Sequence, residues 1–412
     1  MNFFGRLSLL LLTTLTAVSG DAPAQRQLDM QQQLNDLKAT VKAHGDLNAM
    51  GTALAPFRKE VREKVVSKKK QRYIDVNGQE FQRGITAGGL APFWNTVTSD
   101  PEESSSFDAM VGFSNKLKEL GVDLIVVPVP SKFELYHDVF ETEIPKGLPA
   151  SPARTAMMIK LLEAGVEVFD VLPTLEAIKP TAEMSLYEVR GHHLSSYGGK
   201  HAGEALAKRL ERYDLKGRDK SRFSIKERKS VERTNPKQPM TAFEVQLDGE
   251  TYKHANDGEV VVVGDSQAFA HFTASWASHL ARAAGVPITD LSLSSGGSWA
   301  VTRAAKLGAE RLRNTKAVVL IVTSSAFSRP GWATPEIPKT MSISGLVSMG
   351  LYEKAFALVK ANQGNMEAIG LDENYLNEAA YRMIATSEFV EADNAFKLLV
   401  TAYPNSANAH DS

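Results

Sequence analysis

The sequence predicts an α/β protein built on a doubly wound, mainly parallel sheet, a three-layer sandwich. Five short apolar runs are the first sign: DLIVVPVP (123–130), VEVFDV (166–171), EVVVVG (259–264), ITDLSL (288–293) and AVVLIV (317–322). Each is near-continuous rather than alternating, as in a strand buried on both faces of a parallel sheet. Helical patterns such as SSFDAMVGFSNKLKELG and ASHLARAAG lie between the runs, each closing on a Gly before the next strand. The chain of 412 residues, 43% hydrophobic and 23% charged, is also long and apolar enough to bury at least one full core.

Taken in order, residues 1–24 carry Arg6, an apolar stretch and an Ala22-Pro-Ala24 ending, the pattern of an export signal. The apolar run is shorter than the ~20 residues of a membrane span, and no later stretch is long enough either. The expected location is therefore exported, periplasmic or cell-envelope. Absence of Cys fits an exported protein without disulfides but selects no compartment. Residues 25–79 are expected to hold an N-terminal helix, with Met30, Leu34, Leu37 and Val41 on one face, and a charged connector, EVREKVVSKKKQR (60–72). A basic insertion covers about 212–258; its first part, 212–237, has ten Lys/Arg against four Asp/Glu and reads as a solvated loop and hairpin. The tail, 345–412, places Ala380, Tyr381, Ala392, Phe396 and Pro404 much as in a tetratricopeptide helix pair, and Ala355 and Ala392 are 37 residues apart, near the ~34-residue repeat. Such a tail is expected to dock on the main domain or on a protein partner. A formal net charge of -1 gives no global reason to bind nucleic acid.

The chemistry concentrates at VVVGDSQAFA, where an apolar strand runs into Gly264-Asp265-Ser266. A Ser at the carboxyl end of a central parallel strand sits in the crevice where open α/β sheets bind ligands. Ser266 is the candidate nucleophile, and backbone N–H groups at the same turn supply part of an oxyanion site. A nucleophilic Ser needs a base. Among the nine His, His254, His271, His279 and His410 read as surface or helix-face residues. The exception is YEVRGHHLSSYGGKHAGEALAKRL (187–210), where His192 and His193 precede a Gly-rich helix start. His192, His193 and His201 match no familiar metal-ligand spacing, so neither a metal nor another cofactor is expected.

GDSQ (264–267) together with HHLSSYGG (192–199) resembles the AlgX/AlgJ-type SGNH hydrolase-like family of bacterial polysaccharide O-acetylation. In that family an Asp-x-His element precedes the GDS-type block, the order seen here. PVPSKFELY, which contains Lys132, resembles the family's Val-Pro-x-Pro-x-Lys segment. LSSGGSWAVTRAA (293–305) resembles its Gly-rich turn, and VVLIVTSSAFSRPGW (318–332) its closing strand. The resemblance covers roughly 80–335 and implies an SGNH-type, flavodoxin-like sandwich. It implies that Ser266 is the nucleophile, His193 the general base, and the N–H groups of Ser266 and Gly297 the oxyanion donors. Asp265 would fix the turn through its own hydrogen bonds, and His192 would point toward the basic insertion or solvent.

The departures are specific. Gly191 stands where the family has its orienting Asp, Leu194 where Trp is usual, and Ser324-Ser325 where an acidic residue is common. Either Glu188 or Asp170 supplies the acid, or a Ser-His dyad operates, or catalysis is lost. Two functions compete. One is an exported O-acetyltransferase or acetylesterase acting on a polysaccharide through acetyl-Ser266, with a membrane-bound O-acyltransferase partner implied by the resemblance. The other is a catalytically weak or inactive carbohydrate-binding scaffold of an envelope complex.

Overall fold

The computed structural model describes residues 22–90, 105–232, 235–268, 275–293, 297–329, 331–369, 371–385 and 389–410. The export signal expected over 1–24 thus falls outside the described residues except for its last three. Among the described residues no helix is long and apolar enough to cross a membrane.

Among the described residues there are ten strands: β1 (Tyr73–Val76), β2 (Gln79–Gln82), β3 (Asp123–Val129), β4 (Glu167–Val168), β5 (Phe223–Glu232), β6 (Asn235–Leu247), β7 (Glu250–Thr251), β8 (Val260–Gly264), β9 (Thr289–Asp290) and β10 (Ala317–Thr323). The five predicted apolar runs become one parallel sheet in the order β4-β3-β10-β8-β9. Side chains alternate between its faces with period two. Ile125, Val127, Val260, Val262, Val319 and Ile321 enter the core on one side. Leu124, Val126, Val261, Val263, Val318 and Leu320 enter the core on the other. Both faces are therefore buried, which is why the runs lack polar alternation. The chain steps outward from β3 to β4, then crosses back to β8 and β9 before β10 fills the position between β3 and β8. That reversal opens a crevice at the carboxyl ends of the strands.

Helices close both layers. Ser105 caps the Ser106–Glu119 helix by accepting from Asp108 N, and Gly285, at φ 73, ends the Trp276–Ala284 helix in the left-handed conformation. Ahead of the sheet, helix Ala22–Ala43 lies against it through buried Met30 and an Arg26–Glu167 ion pair of 3.2 Å. Part of the charged stretch 60–72 is helical: an α-helix (Ala55–Val61) runs into a π-helical turn (Arg62–Val66) whose Val61 and Val65 are buried. β1 and β2 then pair as a hairpin around Asn77-Gly78, both at positive φ (50 and 82). The basic insertion forms an antiparallel sheet, β5-β6-β7. Phe243 N in β6 donates to Ser196 Oγ at 2.9 Å, which ties that sheet to the helix Ser196–Leu210. The tail contains helices Tyr352–Ala361, Glu373–Ala385 and Phe389–Ala402 around a hydrophobic cluster of its own.

Candidate active site

β8 ends at Gly264, where nothing larger fits. A Cβ on residue 264 would lie 2.0 Å from Ile321 O and 2.9 Å from Ala268 Cβ. The turn that follows is held from three directions. Buried Arg303 donates to Gly264 O (2.6 Å) and Leu291 O (2.9 Å), joining the ends of β8 and β9. Asp265 accepts from Gln267 N and from Thr323 N, both at 2.9 Å, so one carboxylate closes the turn and fastens it to β10. With both oxygens on backbone amides, Asp265 is a structural anion of the turn. Ser266 stands at the apex, half-buried. Gly297 lies alongside, its Cβ position 3.5 Å from Asp265 Oδ2. Among the described residues, the N–H groups of Ser266 and Gly297 have no acceptor.

The histidines sit on a small hairpin. Glu188 N donates to His193 O (2.9 Å), Tyr187 bridges Leu194, and Ser195 N donates to Leu186 O (2.9 Å). Residues 186–188 therefore run antiparallel to 193–195, with 189–192 as the turn. Directly opposed residues of such a pair carry side chains on one face with Cβ atoms ~5 Å apart. Glu188 and His193 are one such pair, and Glu188 Oε2 lies 3.2 Å from His193 Nδ1. Gly191 makes room for this contact: a Cβ there would stand 2.1 Å from Glu188 Oε2 and 2.9 Å from Glu188 Cβ.

Two grips hold the hairpin in place. Lys132, only 4% exposed, donates to Glu80 O (2.9 Å), Glu188 O (2.8 Å) and Val189 O (2.8 Å). β2 adds Glu80 N to Val189 O (3.1 Å) and an Arg190–Glu80 pair of 2.9 Å. From the strand-tip turn, Gln267 Nε2 donates to His192 O (2.7 Å) while its Oε1 accepts from Leu194 N (3.2 Å). The neighbour of Ser266 thus clasps the backbone on both sides of His193. Among the described residues, Ser266 Oγ itself makes no hydrogen bond to either imidazole.

The family described as "SGNH hydrolase-like domain, acetyltransferase AlgX" matches residues 93–322, more than half of the chain. The chain belongs to this AlgX-type family. Its membership supports an acyl-transfer kind of function. Among solved structures, AlgX of Pseudomonas aeruginosa is similar over 67% of this chain and 68% of that one, at 16% identity and a TM-score of 0.48. The O-acetyltransferase domain of Pseudomonas putida AlgJ is similar over 63% of this chain and 90% of that one, at 14% identity and a TM-score of 0.46. No curated protein sequence matches significantly.

Within this AlgX-type site, the two acids considered from sequence separate clearly. Asp170 is engaged at the sheet edge, accepting from buried Arg154 (2.7 Å) and from Leu172 N (3.0 Å). Only Glu188 meets a histidine of the hairpin. His192 is a correction: it does not diverge from its neighbour, and the two ring centroids lie 4.0 Å apart. Residue 192 belongs to the turn, where strand alternation does not operate. Burial, followed by the charges of His193, Arg72, Arg329 and Lys132, holds His192 well below the ordinary imidazole range, so it stays neutral. Lys132 and Gln267 lay inside quoted motifs without any assigned role, and Glu80 lay outside every motif. His201 stacks edge-on to Tyr197 and faces Glu204 at 3.4 Å.

Proposed function

We propose that the chain is an exported acyl-transfer enzyme that moves acetyl groups onto or off a polysaccharide through an acetyl-Ser266 intermediate. One observation carries the reading: Gln267, adjacent to Ser266, hydrogen-bonds both His192 O and Leu194 N and so sets His193 against the strand-tip turn. Ser266 Oγ attacks the carbonyl carbon of the acyl donor while its proton passes to His193 Nε2. The oxyanion is received by the N–H groups of Ser266 and Gly297. As the carbonyl re-forms, the donor's leaving oxygen or sulfur takes the proton from His193, and acetyl-Ser266 remains. A sugar hydroxyl then attacks the ester, giving its proton to His193. The bond to Ser266 breaks and Oγ recovers that proton. Water in place of the sugar hydroxyl makes the same machinery an acetylesterase. A membrane-bound O-acyltransferase partner would supply the acyl group, and the helical tail would hold a protein partner.

Intact-mass measurement after incubation with an activated aryl acetate tests this. The wild type is expected to gain one acetyl unit and Ser266→Ala none, with both variants melting at the same temperature. Equal labelling of the two would remove Ser266 from the mechanism.

A further inference from the structure

We infer that Glu188 and Gly191 work as one unit: Glu188 supplies the carboxylate that orients His193, and Gly191 is the empty space that admits it. The inference rests on the Ser266–His193 reading above. Its evidence is geometric. Residues 188 and 193 are opposed in the hairpin, joined by Glu188 N to His193 O at 2.9 Å, and this sends both side chains to one face. The carboxylate reaches Nδ1 at 3.2 Å from five residues upstream. Both groups are mostly covered, at 17% and 18% side-chain exposure, so water competes weakly for the contact. The position two before the base is Gly191, and the volume its side chain would fill is already occupied by Glu188 Oε2 and Cβ. A carboxylate at 191 and one at 188 are mutually exclusive ways of filling the same place. Lys132 locks the arrangement by holding the carbonyls of Glu188 and Val189.

The chemical consequence concerns which nitrogen is free. A carboxylate on Nδ1 keeps the proton there and leaves the lone pair of Nε2 to accept from a hydroxyl. It also stabilises the imidazolium formed when that proton arrives. Glu188 is thus a positioning residue, acting through His193 rather than on the substrate.

The test follows the rate of acetyl-enzyme formation on an aryl acetate in the full-length chain, across pH, for Glu188→Gln, Glu188→Ala, Gly191→Ala and the double variants. Glu188→Gln and Glu188→Ala should slow acylation by roughly 100- to 10,000-fold, as loss of an orienting acid does elsewhere. Gly191→Ala should slow it as well, because the new Cβ displaces the carboxylate, yet cost little more when Glu188 is already Ala. That non-additivity marks two residues acting on one contact. Glu188→Ala/Gly191→Asp should recover at least about tenfold over Glu188→Ala, since a carboxylate returns to the same space. Recovery by Gly191→Asp separates orientation from mere folding, because a purely structural defect at 188 would not be repaired by a carboxylate placed at 191. Wild-type rates in Glu188→Ala and Glu188→Gln, with Ser266→Ala and His193→Ala inactive, would overturn this inference and leave the acyl-transfer reading standing. Normal labelling of Ser266→Ala would overturn the reading itself. If Glu188→Ala melts early, the isosteric Glu188→Gln carries the same comparison.

Discussion

In the proposed mechanism, removing the imidazole at position 193 removes the acceptor for the Ser266 proton, while removing the one at 192 removes a neutral ring packed beside it at 4.0 Å. General-base assistance is typically worth ~100- to 10,000-fold. His193→Ala is therefore expected to lower acetyl-enzyme formation by that order, and His192→Ala by much less. A reversed ranking would overturn the register that makes 193 the base. At this scale the sequence was only partly legible. Ser266 and His193 could be named as candidates because their neighbours carry recognisable order along the chain. Gly191 left open whether an acid comes from elsewhere, a dyad operates or catalysis is lost, because a linear pattern compares one position at a time. Only the hairpin pairing shows that residue 188 fills the space of residue 191, and no Asn-Gly or Asp-Gly dipeptide announces a hairpin between Leu186 and Ser195.

Among the elements, the five strands were legible because burial on both faces suppresses polar alternation. β4 and β9, at two residues each, are short edge strands whose apolar runs extend beyond their pairing. The β1–β2 hairpin was signalled by Asn77-Gly78, just beyond the charged stretch 60–72, but no motif singled it out. Helix contacts carry a further pH-dependent feature. The Ser196–Leu210 and Trp276–Ala284 helices meet almost backbone to backbone, a Cβ on Gly203 lying 2.9 Å from both His279 Cβ and Leu280 N. His279 is thereby fully buried, and neither ring nitrogen has a hydrogen-bond partner among the described residues. Burial, followed by the charges of Arg282, Lys200 and His201, lowers its pKa to about 3. An unfolded His titrates near ~6.5, so between these values the unfolded chain binds the extra proton. This contribution is complete above pH ~6.5 and is lost as pH falls toward 3. His279→Leu should flatten that acid limb in denaturant melts, and at neutral pH should stabilise the fold by about 1–3 kcal/mol by removing unsatisfied buried nitrogens. An unchanged acid limb would mean that carboxylates elsewhere set it.

At the scale of the molecule, three hydrophobic clusters among the described residues divide the work. Two lie on the two faces of the parallel sheet and the third belongs to the tail, with Ile343, Leu346, Val359, Leu376, Ala395 and Leu398 among its members. The boundary is visible in the backbone. Ala309 N bonds to Pro338 O (2.7 Å) and Glu310 N to Lys339 O (3.1 Å), so the chain through Lys339 is tied to the sheet domain. Beyond it, Ser342 N donates to Lys306 O (3.0 Å), and the tail begins to cover Lys306. Burial lowers the Lys306 pKa to about 8, partly offset by Asp372 of the tail. A chain ending at Thr340 removes the third cluster, takes Met341 and Met349 off the edge of one sheet-facing core, and leaves the Ser266 turn and the His193 hairpin with all the contacts described above. It should fold, form acetyl-Ser266 within a few-fold of the full-length rate, and lose only what the tail itself recruits. Lys306 reports whether the cut falls where the packing says it does. Freed of its cover, its ammonium should titrate near the ~10.4 of a solvated lysine rather than near 8, a change readable by NMR of isotopically methylated lysines. The same covering makes stability of the full chain rise with pH between about 8 and ~10.4, because the unfolded chain holds the Lys306 proton longer than the folded one. That rise should vanish in the truncated chain. If Lys306 still titrates near 8 after truncation, its burial belongs to the sheet domain; if the truncated chain fails to fold, the tail is part of the catalytic core.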